Sequence, residues 1–86
     1  MPKIEVYTTT YCPYCVRAKQ LLDIKDLDYT EIDVTNDDAA RADLVVKSQG
    51  RRTVPQIFIN DTPIGGYDDL RALEESGRLD QMLGAS

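Results

Sequence analysis

The chain has 86 residues, 42% of them hydrophobic and 29% charged, which is enough for one small core and predicts a single domain over 1–86. Its formal net charge of −5 argues against non-specific binding to nucleic acid or to an anionic membrane. No apolar run approaches the ~20 residues of a membrane helix.

The opening MPKIEVYT lacks a basic stretch followed by a long apolar one. We therefore expect no secretory signal and a cytoplasmic setting, where a lasting structural disulfide is disfavoured. Residues 3–8 alternate and are rich in strand formers, so they predict a strand. From Pro13 the spacing becomes helical, with Val16, Leu21 and Leu22 on a shared side and Arg17, Lys19 and Lys25 elsewhere. Pro13 suits the first position of a helix, where its missing N–H costs nothing. Residues 29–34 alternate again. Thr35-Asn36-Asp37-Asp38 then supplies a helix start with acidic residues in the first turn. Ala39, Ala42, Val45, Val46 and Gln49 continue that helix until Gly50 ends it.

Residues 53–60 read as a strand whose Pro55 must sit at its beginning or at an edge. Asn60-Asp61 makes a turn, and TPIGG returns as a short strand, giving a hairpin. Tyr67, Leu70, Leu73, Leu79, Met82 and Leu83 form one or two helices, with Gly77 as the break. The order β-α-β-α-β-β-α predicts an α/β fold, a mixed four-stranded sheet with helices on both faces and a right-handed first crossover. Acidic residues dominate 26–43, whereas Arg17 and Lys19 follow the cysteines and Lys47, Arg51 and Arg52 come later. These charges are either solvated faces or binding surfaces.

The only two cysteines, Cys12 and Cys15, lie in TTTYCPYCVRAK. A disulfide between residues so close closes too small a loop to constrain the unfolded chain much. A structural zinc site wants four Cys or His ligands, and the chain has two Cys and no His. A cluster bridging two chains stays open. Redox chemistry fits the pair better. Cys12 precedes a helix whose free N–H groups and dipole stabilise an anion, and such settings lower a thiol pKa. Cys15 lies one turn further in and is shielded. Cys12 is then the nucleophile, and Cys15 the resolving thiol that attacks a mixed disulfide on Cys12.

Cys-Pro-Tyr-Cys after a strand and opening a helix resembles the dithiol glutaredoxin active site, within the thioredoxin-like superfamily. Thr53-Val54-Pro55 resembles the segment whose cis-proline faces the dithiol, and GGYDD at 65–69 resembles the family's glutathione-binding turn. The resemblance spans essentially the whole chain and implies a glutathione-dependent thiol–disulfide oxidoreductase. It implies glutathione as reducing co-substrate and no metal. Its partners would be glutathionylated or disulfide-containing proteins, among them ribonucleotide reductase, and the chain would act as a monomer.

Glutathione has two carboxylates, one ammonium and one thiol. The resemblance implies that Gly66, Tyr67, Asp68 and Asp69 hold its γ-glutamyl end, with helix-start amides on the carboxylate and an aspartate on the ammonium. Val54, flanked by Thr53 and Pro55, pairs with the central residue beside Tyr14. Arg51 or Arg52 reaches the glycyl carboxylate. Pro13, Tyr14 and Lys19 stabilise the thiolate. One position departs from the pattern: many glutaredoxins carry lysine three residues before the nucleophile, where this chain has Thr9. Lys19 or Arg17 then compensates. Two other readings stand beside it, a redoxin that keeps the dithiol but is reduced by thioredoxin reductase, and an iron–sulfur cluster carrier in which two chains each give Cys12. The Cys-Pro-Tyr-Cys motif and GGYDD speak against the first, and Pro13 against the second.

Overall fold

The first strand, β1 (Ile4–Thr8), is nearly all buried, because it lies inside the sheet and is covered on both faces. The computed structural model describes residues 3–84. After β1 come α1 (Pro13–Ile24), β2 (Thr30–Asp33), α2 (Asp38–Lys47), β3 (Gln56–Ile59), β4 (Thr62–Gly65), α3 (Tyr67–Glu75) and α4 (Arg78–Met82). The sheet order is β2-β1-β3-β4. β1 runs parallel to β2 and antiparallel to β3, and β3 is antiparallel to β4. This is the mixed four-stranded α/β sheet expected from the element order, in the thioredoxin-like arrangement that the resemblance implied. The final helical segment divides at Gly77, whose φ of 78° suits a residue without a side chain.

The alternation of β1 and β3 sends residues to two cores. Ile4, Val6, Ile57 and Ile59 meet Ala18 and Leu22 of α1, Leu70 of α3 and Leu79 of α4 on one face. Tyr7, Val34 and Phe58 meet Leu44 of α2 on the other. Pro55 falls at the entrance to β3, not on a sheet edge, because β3 is an interior strand. The Val54–Pro55 peptide is cis. Asn60 and Asp61 both take positive φ, the conformation a two-residue hairpin turn requires.

Two helix faces differ from the periodic reading. On α1 the buried residues are Cys15, Ala18 and Leu22, spaced three and four apart, and Val16 is turned outward, 49% exposed. On α2 the buried residue is Leu44, with Ala40 packed beside it, while Val46 is 77% exposed. The larger leucine takes the core, and the Val45-Val46 pair is rotated off it. Lys25 at the end of α1 is paired with Glu74 at 2.9 Å and Asp80 at 2.7 Å, tying α1 to α3 and α4. Among the described residues no helix is long and apolar enough to cross a membrane.

Candidate active site

Pro13 opens α1 and Cys12 caps it with extended backbone. The Cys12 Sγ accepts the Cys15 N–H at 3.1 Å, taking the place that a serine or aspartate oxygen holds at other helix starts. No acidic residue occupies the first turn of α1, so nothing there opposes negative charge at Cys12. The Cys12 thiol also points to the Val54 carbonyl, 3.6 Å away. Both cysteines are free, Cys12 partly exposed and Cys15 buried. Burial pushes the Cys15 thiol up to about 12, and hydrogen bonding to Cys12 adds to the rise, while a backbone hydrogen bond from Thr9 opposes it. One thiol is open to a substrate. The other is held back as a protonated reserve.

Beside Cys12 runs a groove of about 340 Å³. One wall carries Tyr14 and Tyr67, whose ring centroids are 6.3 Å apart. Thr53, Val54, Pro55, Gly66, Asp68 and Asp69 also line it. The Asp69 Oδ2 accepts the Gly66 N–H at 3.0 Å and lies 3.6 Å from the Arg51 guanidinium. Gly65 passes directly beneath this pair at a φ of 118°. A Cβ there would strike the Asp69 carboxylate and come within 2.8 Å of the Arg51 Nη1. The groove thus offers cationic Arg51, anionic Asp69 and free helix-start amides along one short path.

Three expectations change. Arg51 lines the groove, but Arg52 lies on the other side with Arg41, Val45 and Val46 of α2. Successive residues of an extended segment point in opposite directions, so only one of the two arginines can face a ligand in the groove. Lys19 is not a free cation at the thiolate, because its Nζ is bonded to Glu31 Oε2 at 2.9 Å. Its charge acts on Cys15, lowering that pKa as a minor contribution. Arg17 places its guanidinium over the Tyr14 ring, 5.3 Å from the centroid. Neither cation therefore replaces a lysine at Thr9, whose own side chain is buried and whose hydroxyl finds no hydrogen-bond partner among the described residues.

Gln56 lines the groove but was not among the expected residues. It is 2% exposed and its Nε2 donates to Thr53 Oγ1 at 3.2 Å. The signal was a polar residue placed directly after Val54-Pro55, at the mouth of an otherwise apolar interior strand.

The glutaredoxin family model matches residues 4–64. A glutaredoxin of Pseudomonas aeruginosa is 52% identical over 85 residues, covering 99% of this chain and 100% of the relative. The chain belongs to the glutaredoxin family. Glutaredoxin 3 of Escherichia coli is 47% identical over 83 residues, covering 96% of this chain and 99% of that protein. The solved structure of a buckwheat glutaredoxin–glutathione complex superposes with a TM-score of 0.86 at 36% identity, covering 96% of this chain and 77% of that one. With both cysteines at the helix start, this glutaredoxin is of the dithiol type, a thiol–disulfide oxidoreductase.

Proposed function

We propose that this glutaredoxin uses glutathione as its reductant and acts in the cytoplasm on protein–glutathione mixed disulfides and on protein disulfides. The observation that carries the reading is the juxtaposition of Cys12, at the start of α1, with a groove whose Arg51, Asp69 and helix-start amides complement a zwitterionic tripeptide. The buckwheat glutaredoxin of similar fold forms a complex with glutathione, which supports the same ligand here.

In the first step the Cys12 thiolate attacks the glutathionyl sulfur. A Cys12–glutathione disulfide forms, the protein–glutathione bond breaks, and the protein thiolate leaves and takes up a proton. The α1 amides hold the negative charge on Cys12 before the attack. The groove holds the glutathionyl group so that the departing sulfur belongs to the protein substrate. A second glutathione thiolate then attacks the mixed disulfide, freeing Cys12 and releasing glutathione disulfide. With a protein disulfide as substrate, Cys15 attacks the mixed disulfide instead, leaving a Cys12–Cys15 disulfide that two glutathione molecules reduce.

The roles of the two thiols are separable. Cys12→Ser is expected to abolish reduction of both a glutathionylated peptide and a protein disulfide. Cys15→Ser is expected to keep the first activity and lose the second. A Cys15→Ser protein inactive toward the glutathionylated peptide, with Cys12→Ser active, would reverse the assignment.

A further inference from the structure

One turn beyond Cys15, where α1 passes over β2, lies a half-exposed polar cluster that the groove does not use. Lys19 follows Cys15 by one turn on the same face of α1. Its Nζ donates to Glu31 Oε2 on β2 at 2.9 Å, and the same oxygen accepts the Thr8 hydroxyl of β1 at 2.8 Å. Thr8 is fully buried. The parallel pairing of β1 with β2, which aligns Val6 with Glu31, brings the carboxylate to this spot. The pair reinforces both charges, raising the Lys19 pKa and lowering that of Glu31.

We propose that Lys19 is a positioning residue for the resolving step: its ammonium, one helical turn from Cys15 and held by a Glu31 carboxylate that Thr8 anchors, favours the Cys15 thiolate as that thiol attacks a mixed disulfide on Cys12. The proposal rests on the glutathione-dependent dithiol reading above. In the step, Cys15 gives its proton to solvent and its electron pair to the Cys12 sulfur. The Cys12–Cys15 bond forms, the bond from Cys12 to the substrate sulfur breaks, and the substrate leaves as a thiolate. Cys12 and Cys15 are together oxidised by two electrons, and the substrate disulfide is reduced by two.

The burden on this step is the burial of Cys15, which opposes ionisation. Two groups oppose that burial, the Thr9 backbone hydrogen bond and the Lys19 charge. The other titratable groups facing the cluster are Cys12 from the start of α1, Tyr29 from the segment before β2, and Glu31 and Asp33 from β2. Lys19 thus brings its charge to bear on the second thiol. Glu31 holds it in place and moderates it.

The test uses neutral 4,4′-dithiodipyridine in stopped flow, where attack by Cys12 releases one thiopyridone and attack by Cys15 releases the second. A shift of one unit in a thiol pKa changes the thiolate fraction about tenfold, so Lys19→Met, which removes a smaller contribution, is expected to slow the second release by about two- to threefold relative to the first. Its pH profile should move upward. Lys19→Arg should restore the rate, and Glu31→Gln, which keeps the hydrogen bonds but removes the counter-charge, should speed the second release and move its profile down. Equal slowing of both releases by Lys19→Met, or Glu31→Gln slowing the second release as Lys19→Met does, would mark the pair as structural and overturn the proposal. Release of a single equivalent by the wild-type protein would show instead that the dithiol reading beneath it is wrong.

Discussion

Cys12 and Cys15 sit one helical turn apart, yet their surroundings differ. Cys12 is partly exposed, accepts an amide and adjoins the groove through the Val54 carbonyl, whereas Cys15 is buried and its thiol is pushed up to about 12 by that burial. This difference has a consequence for stability. A thiol raised from 9.0 to about 12 on folding contributes stability that is fully present below the unfolded value and is lost as pH rises through the folded one. The urea midpoint of the reduced protein is therefore expected to fall between about pH 9 and pH 12 more steeply than that of Cys15→Ser. Parallel profiles for the two proteins would contradict the burial of the thiol. The arginines separate at the same scale. Arg51→Ala is expected to raise KM for glutathione about tenfold through loss of a charge-assisted contact, while Arg52→Ala leaves it unchanged. Gly65→Ala, which displaces both Arg51 and Asp69, should raise it at least as far. Which arginine faces the groove was not legible in Arg51-Arg52, because side depends on the direction of an extended segment and not on residue type. The pairing of Lys19 was hidden for another reason, since Glu31 reaches it only through the register of two parallel strands.

The elements were legible where a single residue enforces a local conformation. Pro13 starts α1, Asn60-Asp61 turns the hairpin, and Gly77 separates α3 from α4. The faces of the helices were less so. On α2 the alanines and valines that carry the periodic pattern are small, and Leu44 alone decides which side meets the sheet. Leu44→Ala should accordingly cost about 2–5 kcal/mol in urea unfolding. The exposed Val46→Ala should stay within about 0.5 kcal/mol. The reverse order would mean that α2 packs through its valines. On α1 the same logic places Cys15 in the buried stripe with Ala18 and Leu22, so the packing that stabilises the helix also withholds the second thiol from solvent.

For the whole molecule, the sheet order does what chain proximity cannot. Cys12 and Val54 are far apart in sequence, and the antiparallel pairing of β1 with β3 brings the loop after one strand to the loop before the other. The β3–β4 hairpin then carries Gly65 and the start of α3 to the same end of the sheet. The groove is assembled from three separate segments, which is why three short motifs at these distances pointed to it from the sequence. The departure at Thr9 was legible in the sequence, but its burial was not: Thr9 offers the groove no charge, which leaves Arg51 and the α3 amides as the groups there that complement an anion. The most direct measurement is turnover of a glutathionylated peptide by the wild-type protein with two alternative electron sources. Glutathione with glutathione reductase is expected to support turnover, and thioredoxin reductase alone is not. Turnover with thioredoxin reductase only would contradict the central claim, leaving a dithiol oxidoreductase whose groove does not serve glutathione.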